Sequence, residues 1–299
     1  MVGPSAGGAW PGVTVPQPSA SPTDAPTPTQ LLALARRTAA EAAALVAAGR
    51  ATAADHVQVK SSPVDVVTAV DRASEEMVVG RLLQARPDDG VLGEEGASRT
   101  GTSAVRWVVD PIDGTVNFLY GAPGFAVSIA AEVDGVTVAG VVHDVVSGEV
   151  FSAARGEGAW LDAPGAARRR LTGRAPTTLE QALVGTGFGY DADRRRVEGA
   201  VLAGLLPLVR DVRRLGSAAL EICWAAAGRM DAFYQLELQP WDLAAAVLVA
   251  EEAGLLVTGL PGRPPGDPVV VAAGPGLVGP LVELLDGLYA VQPIDRPGG

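Results

Sequence analysis

Apolar positions along this chain recur first at helical and then at strand spacing, and the change of period maps its elements. Leu31, Leu34, Ala35 and Leu45 share one face of a predicted helix over 30–48, with Gly49 as its stop. A second amphipathic run over 71–83 has Thr68 as its candidate N-cap. Val91-Leu92 reads as a short strand, and Val105-Arg106-Trp107-Val108-Val109 as a buried one. A meander follows over 126–133, 136–145 and 149–153, with Asp134-Gly135 and Ser147-Gly148 as hairpin turns. Beyond Gly156, helices over about 197–209, 217–227, 242–253 and 276–287 alternate with short strands such as 183–185 and 269–272.

This is an α/β (α+β) pattern, and 299 residues suffice for two packed subdomains. We divide it into an α+β half over 29–155 and an α/β half over 156–295. Residues 1–28 are rich in Pro, Ser, Thr, Gly and Ala and almost uncharged, so a disordered tail is expected there. It lacks the basic start and apolar stretch of a signal peptide, and no run is long and apolar enough for a membrane helix. The expected location is cytoplasmic.

A net charge of −11 argues against a nucleic-acid partner, which demands a cationic footprint. With so few cations to spare, metals are better suited to neutralise an anionic substrate. The two histidines, His56 and His143, lie outside the acidic segments, which disfavours His-ligated zinc or phosphohistidine chemistry. The lone Cys223 sits in apolar ICWAAAG and reads as a core thiol.

Candidate chemistry begins at Asp110-Pro111-Ile112-Asp113-Gly114-Thr115, directly after the Val105 strand. Pro111 fixes its own φ and Gly114 admits turns closed to other residues, so the two carboxylates can converge. Convergent carboxylates repel unless a proton or a cation joins them. Mg²⁺ takes oxygen ligands and leaves positions for phosphate oxygens, which the N–H groups around Gly114 and Thr115 could also cradle. The turn taken alone fits an ordinary Asp-rich loop equally well. Gly93-Glu94-Glu95-Gly96 adds a carboxylate pair in which Glu94 could reach a metal and Glu95 suits solvent. Asp71 and Asp242 each stand near a helix start, where an acid also complements the helix dipole.

The segments VKSSPVDVVTAVD (59–71), GEEG (93–96), DPIDGT (110–115) and PWDLAAAVLVAEEAG (240–254) together resemble the inositol monophosphatase family of Mg²⁺-dependent, lithium-sensitive sugar and polyol phosphatases. The resemblance runs from about residue 30 to about residue 290 and includes RRLGSAALEICWAAAGRMDAFY (213–234). It implies the layered αβαβα sandwich of the inositol monophosphatase and fructose-1,6-bisphosphatase type, a homodimer, and two to three Mg²⁺ per subunit. Glu94, Asp110 and the Ile112 carbonyl are the implied ligands of one metal, and Asp110, Asp113 and Asp242 those of a second. A further, weaker Mg²⁺ belongs near Glu94. Asp71 and Thr115 are the implied supports of the attacking water, so that Asp71, Glu94 and Thr115 form the catalytic set.

For substrate, the resemblance implies a pocket lined by Asp113, Gly114, Thr115, Gly216, Ser217 and Ala218. The seventh residue before the Trp-Asp aspartate is commonly a Glu that binds substrate hydroxyls, and this chain has Gln235 there. Gln keeps the reach, adds donors and loses charge, so hydroxyl recognition is expected to change while hydrolysis does not. Glu237 lies one step along the same strand face. Lys60 is implied to orient groups near the metals; a solvated surface lysine is the alternative.

The implied activity is hydrolysis of inositol monophosphate or a related polyol or sugar phosphate by direct water attack. Histidinol phosphate and fructose-1,6-bisphosphate hydrolysis would use the same metal site, and the motifs do not separate them. A regulatory binding role is invited only by Arg168-Arg169-Arg170 and Arg194-Arg195-Arg196, which read as solvated loop charges.

Overall fold

A capping box opens the first helix: Thr27 Oγ1 accepts the Gln30 N–H and Gln30 Oε1 accepts the Thr27 N–H. Helix α1 (Pro28–Gly49) therefore starts inside the span that composition assigns to the tail, because Thr27 and Pro28 supply a helix entry that a compositional reading overlooks. The computed structural model describes residues 26–50, 57–59, 66–174 and 178–292. The rest of the expected tail, His56 and Lys60 lie outside the described residues.

An antiparallel ribbon of β1 (Val57–Val59) and β2 (Val66–Thr68) leads into α2 (Ala69–Ala85), which Thr68 caps as expected. Then come β3 (Gly90–Gly93), β4 (Ser98–Arg99), β5 (Val105–Asp113), the short α3 (Thr115–Tyr120), β6 (Ala126–Val133) and β7 (Val136–Asp144). The meander continues through β8 (Val150–Ala154), β9 (Ala159–Asp162) and β10 (Arg169–Arg170). These strands form one eight-stranded sheet in the order β10-β9-β8-β7-β6-β5-β3-β4. Only the β3–β5 pairing in it is parallel.

The remaining elements are β11 (Leu183–Thr186), α4 (Ala192–Leu205), β12 (Asp211–Arg213), α5 (Ala218–Ala226) and β13 (Ala232–Leu236). They are followed by α6 (Pro240–Glu252), β14 (Leu256–Thr258), β15 (Val269–Ala273) and α7 (Pro275–Ala290). A mixed five-stranded sheet results, ordered β12-β11-β13-β15-β14. Helix α4 starts five residues before the expected position because Asp191 caps it, accepting the Asp193 and Arg194 N–H groups. Arg194, Arg195 and Arg196 are thus helical, and Arg169 and Arg170 form an edge strand; neither cluster is a loop.

Alternation along the strands sorts side chains into layers. Val105, Trp107 and Val109 of β5 pack with α1 and α2, whereas Val108 packs with α5 and α6. On β13, Phe233 joins α5 and α6, while Ala232, Tyr234 and Leu236 join α4 and α7. The layer order is helices α1 and α2, the large sheet, α5 and α6, the small sheet, then α4 and α7. That is the αβαβα sandwich the motifs imply. Among the described residues, no helix is long and apolar enough to cross a membrane.

The middle layer sits unusually close to the large sheet at one point. A Cβ on Gly140 of β7 would lie 2.9 Å from both the Cα and the carbonyl oxygen of Ala245 on α6. Only glycine lets α6, and Asp242 at its start, seat there. Gly140→Ala is expected to cost about 1–3 kcal/mol by overpacking and to displace Asp242 by shifting α6. Thermal melts check this, and an unchanged melting temperature would contradict it.

Candidate active site

Asp110 faces Ser128 across the β5–β6 ladder and Asp113 faces Ala126, so three steps on β5 span two on β6. In a regular pleat, residues an odd number apart point to opposite faces; the one-residue bulge returns Asp113 to the side of Asp110. Pro111 occupies this bulge, where no ladder donor is needed. The Ile112 N–H donates to Asp110 Oδ1 at 3.0 Å and closes the turn. Strand β5 thus runs through the motif to Asp113. Gly114 then turns the chain at φ 97°, and a Cβ on it would meet the Gly124 carbonyl oxygen at 2.7 Å.

Asp71 and Asp242 each occupy the third position of their helix, where each accepts a backbone N–H and also approaches other polar groups of the site. Asp71 Oδ2 accepts the Thr68 N–H at 2.9 Å in a capping box, while its Oδ1 lies 3.1 Å from Thr115 Oγ1. Asp242 Oδ2 accepts the Gln239 N–H at 2.7 Å, yet its carboxylate joins those of Asp110 and Asp113. One oxygen from each of these three residues lies within 4.8 Å of the others. Glu94 follows β3 in a turn held by buried Glu75, which accepts the Glu95 and Ala97 N–H groups at 2.8 and 2.9 Å.

Burial above all raises the Asp110 carboxyl well above the carboxylate range, and the charges of Glu94, Asp113 and Asp242 add to it. Asp113 is pushed up to about 6 by burial, against the Ser217 hydroxyl and the Ala219 N–H, which donate to its Oδ2 at 2.6 and 2.7 Å. Asp71 is raised by burial, opposed by its Thr68 and Thr115 hydrogen bonds. No arginine pairs with Asp110 or Asp113 among the described residues. An all-oxygen set of buried, mutually repelling carboxylates fits a hard dication.

These acids line a pocket of about 360 Å³. Glu94, Asp110, Ile112, Asp113, Gly114, Thr115, Gly216, Ser217, Ala218, Gln235 and Asp242 all border it, and Asp71 stands behind Thr115. Lys60 is outside the described residues. His143 lies in β7 and Cys223 is buried in the core, and neither borders the pocket.

Sequence reasoning missed several lining residues. Arg194 was assigned to a solvated cluster, but its Nε donates to Glu198 at 3.2 Å and its Nη1 to Glu237 at 2.7 Å. The i,i+4 spacing of Arg194 and Glu198 carried that signal. Glu221 of α5 is buried, and its Oε1 accepts the Leu215 and Gly216 N–H groups at 2.7 and 3.2 Å. Burial pushes its carboxyl up to about 8 despite those bonds. A glutamate inside the apolar AALEICW run was the available clue. Phe188, Tyr190 and Arg214 complete the rim without any local motif to announce them.

An αβαβα sandwich with carboxylates converging where β5 ends defines a class of layered α/β proteins whose acidic site could hold a metal ion. Within that class the chain belongs to the inositol monophosphatase family, whose sequence model matches residues 27–293. It is 48% identical over 285 residues to an inositol-1-monophosphatase of Mycobacterium leprae, covering 89% of this chain and 97% of that one. The solved structure of Mycobacterium tuberculosis SuhB superposes with a TM-score of 0.76 at 46% identity, covering 88% of this chain and 98% of the other. A Pasteurella multocida protein named Nus factor SuhB is 38% identical over 229 residues, 76% of this chain and 84% of its own length.

The raised carboxyls set a pH dependence. Asp113 and Glu221 bind protons more tightly folded than unfolded, so their stabilisation is complete below about pH 4. It is lost as pH rises through about 6 for Asp113 and about 8 for Glu221. His143, lowered by burial, acts in the opposite sense below its ordinary 6.5. In EDTA, Tm should therefore fall between pH 6.5 and 8, and Glu221→Gln should flatten the upper part of that fall. Melts across pH for both proteins decide it; parallel curves would refute the assignment to Glu221.

Proposed function

We propose that this protein is a Mg²⁺-dependent phosphomonoester hydrolase acting on inositol monophosphate or a related polyol or sugar phosphate. The observation that carries the reading is the convergence of Asp110, Asp113 and Asp242 on a pocket bordered by small residues and amides. Glu94, Asp110 and the Ile112 carbonyl would hold one Mg²⁺, Asp110, Asp113 and Asp242 a second, with a weaker third near Glu94. When bound, the ions supply Lewis acidity and neutralise the charge of the phosphate.

The chain's own groups orient water and substrate. Both Thr68 donors, the N–H and the hydroxyl, are spent on Asp71 Oδ2, which leaves Oδ1 for Thr115. The Thr115 hydroxyl has one proton and two acceptors at 3.1 Å, Asp71 Oδ1 and the Ile112 carbonyl. With that proton given to Asp71, the oxygen is free to accept one from an attacking water, and Asp71 becomes the final proton acceptor. Ser217 and Ala219 hold Asp113 by one oxygen and leave the other toward the pocket. Gly114 and Thr115 offer N–H groups suited to phosphate oxygens.

The two halves, 29–155 and 156–295, contribute jointly, since Asp242 belongs to the second. A cytoplasmic homodimer inhibited by lithium completes the reading. The full set of site carboxylates argues against a purely regulatory protein, and Arg194, one of the cluster residues that invited that role, is committed to the pocket.

Phosphate release from inositol-1-phosphate, histidinol phosphate and fructose-1,6-bisphosphate, with Mg²⁺ and with EDTA, tests the activity. Turnover should require Mg²⁺ and favour the inositol ester. Asp110→Asn should lower kcat by more than about 100-fold, on the scale of lost electrostatic stabilisation, while circular dichroism shows the fold retained. A near-normal rate in that variant would overturn the site.

A further inference from the structure

On the β13 side of the pocket stands an ion pair that the proposed hydrolysis leaves without a task. Arg194 and Glu237 both border the pocket, and Arg194 Nη1 donates to Glu237 Oε2 at 2.7 Å. The guanidinium is anchored from behind by buried Glu198 and by the Leu236 carbonyl. Glu198 also accepts the Gly189 N–H at 2.9 Å, so one carboxylate fixes both the arginine and a neighbouring stretch of pocket lining.

The backbone at Glu237 is unusual as well. Its φ is 51°, and the only other described non-glycine residue with a positive φ is Asp134, in the β6–β7 hairpin turn. Asp suits that region; Glu does not favour it. A glycine would meet the backbone requirement at Glu237 without strain, yet the position holds a carboxylate whose side chain stays 51% exposed at the pocket. Two residues earlier, Gln235 is packed against Gly187, where a Cβ would lie 1.9 Å from Gln235 Oε1. Gln235 and Glu237 therefore present an amide and a carboxylate to one pocket, both held in place.

We propose that Glu237 is a specificity-determining residue which, with Gln235, receives the hydroxyl-bearing part of the substrate, Arg194 being the positioning residue that holds its carboxylate. The inference rests on the phosphomonoester hydrolase reading. A carboxylate with one oxygen on an arginine keeps lone pairs for a pair of neighbouring hydroxyl donors, and the Gln235 amide adds a donor and an acceptor. Arg194 is already matched by Glu198 and Glu237, which outnumber it in charge, so this ion-pair group does not itself favour a second phosphate. The substrate class is accordingly a polyol monophosphate with an uncharged far end, and a bisphosphate is disfavoured by charge.

The test compares kcat/KM for inositol-1-phosphate, p-nitrophenyl phosphate and fructose-1,6-bisphosphate, all with Mg²⁺. Glu237→Gly removes the carboxylate while giving the left-handed backbone the residue that adopts it most easily. Its melting temperature should not fall. The preference for inositol-1-phosphate over p-nitrophenyl phosphate should drop about 10-fold, through KM, the scale of a lost charge-assisted hydrogen bond. Preference over the bisphosphate should drop with it. Arg194→Lys, which keeps the charge but loses the fork, should lower the same preference through KM and add nothing in the Glu237→Gly background. Preferences within about two-fold of the unsubstituted protein, smaller than one such bond, or equal losses on all three esters, would overturn the role of Glu237. Additive losses would overturn that of Arg194. If the unsubstituted protein hydrolyses p-nitrophenyl phosphate but no polyol ester, the specificity assignment fails alone; if it hydrolyses nothing, the hydrolase reading fails and takes the assignment with it.

Discussion

Mutual repulsion among buried carboxylates is the constraint around which this fold is arranged. Asp110 and Asp113 come from the large sheet, Asp242 from the middle helical layer, and closing the sandwich brings all three together, with Asp110 and Asp113 buried and Asp242 half-buried. That is unfavourable by itself, because a low-dielectric site strengthens like-charge repulsion and penalises each ion. Apolar packing of the middle layer offsets it. Helix α5 is buried along nearly its whole length, and α6 seats against β7 through the gap left by Gly140. Each buried aliphatic side chain contributes roughly 1.5–3 kcal/mol, so a modest part of this layer suffices to hold the acids in place.

Local and tertiary requirements coincide at the same atoms. Asp71 and Asp242 satisfy backbone donors at their helix starts, which fixes one carboxylate oxygen and so aims the other. The bulge at Asp110–Asp113 does similar work for the strand, spending an irregularity in the ladder to align two acids. Ser217, 104 residues from Asp113, then fixes one oxygen of the latter across the layers. A site assembled this way resists loosening, since moving any of these acids would break a cap or a ladder as well.

What could be seen in the sequence follows from this. The meander was legible because β6 to β8 are apolar, Val- and Ala-rich runs separated by the Asp134-Gly135 and Ser147-Gly148 turns, and the acidic motifs because turn chemistry and charge sit within six residues. Thr68 was legible as a cap for the same local reason. The bulge was not, since nothing in DPIDGT says how the neighbouring strand pairs. The start of α4 was hidden by its three arginines, which break any apolar period although Asp191 caps the helix. Arg194 acquires its role only when Glu237, 43 residues away, comes beside it. Glu221 was concealed by its position in an apolar run. For the bulge and for Arg194 beside Glu237 the missing information was a contact between distant segments; the Asp191 cap and the Leu215 and Gly216 bonds of Glu221 are local but lie where no apolar period marks them.

Partnering, more than burial, sets Asp110 apart from the other buried acids of this protein. Asp89 is buried and accepts bonds from Trp107, Arg86 and Ser103. Glu75 is buried and holds two backbone N–H groups; Glu198 has an arginine and a backbone N–H. Each is compensated within the fold, as a buried charge must be. Asp110 is equally buried, but its bonds are with the Ile112 N–H of its own turn and with another acid, Glu94, and the charges of Glu94, Asp113 and Asp242 press on it. A chain that compensates Asp89, Glu75 and Glu198 so fully has the means to do so at Asp110 as well. A proton shared with a neighbouring acid, or a cation held by Asp110, Asp113 and Asp242, can supply the missing compensation.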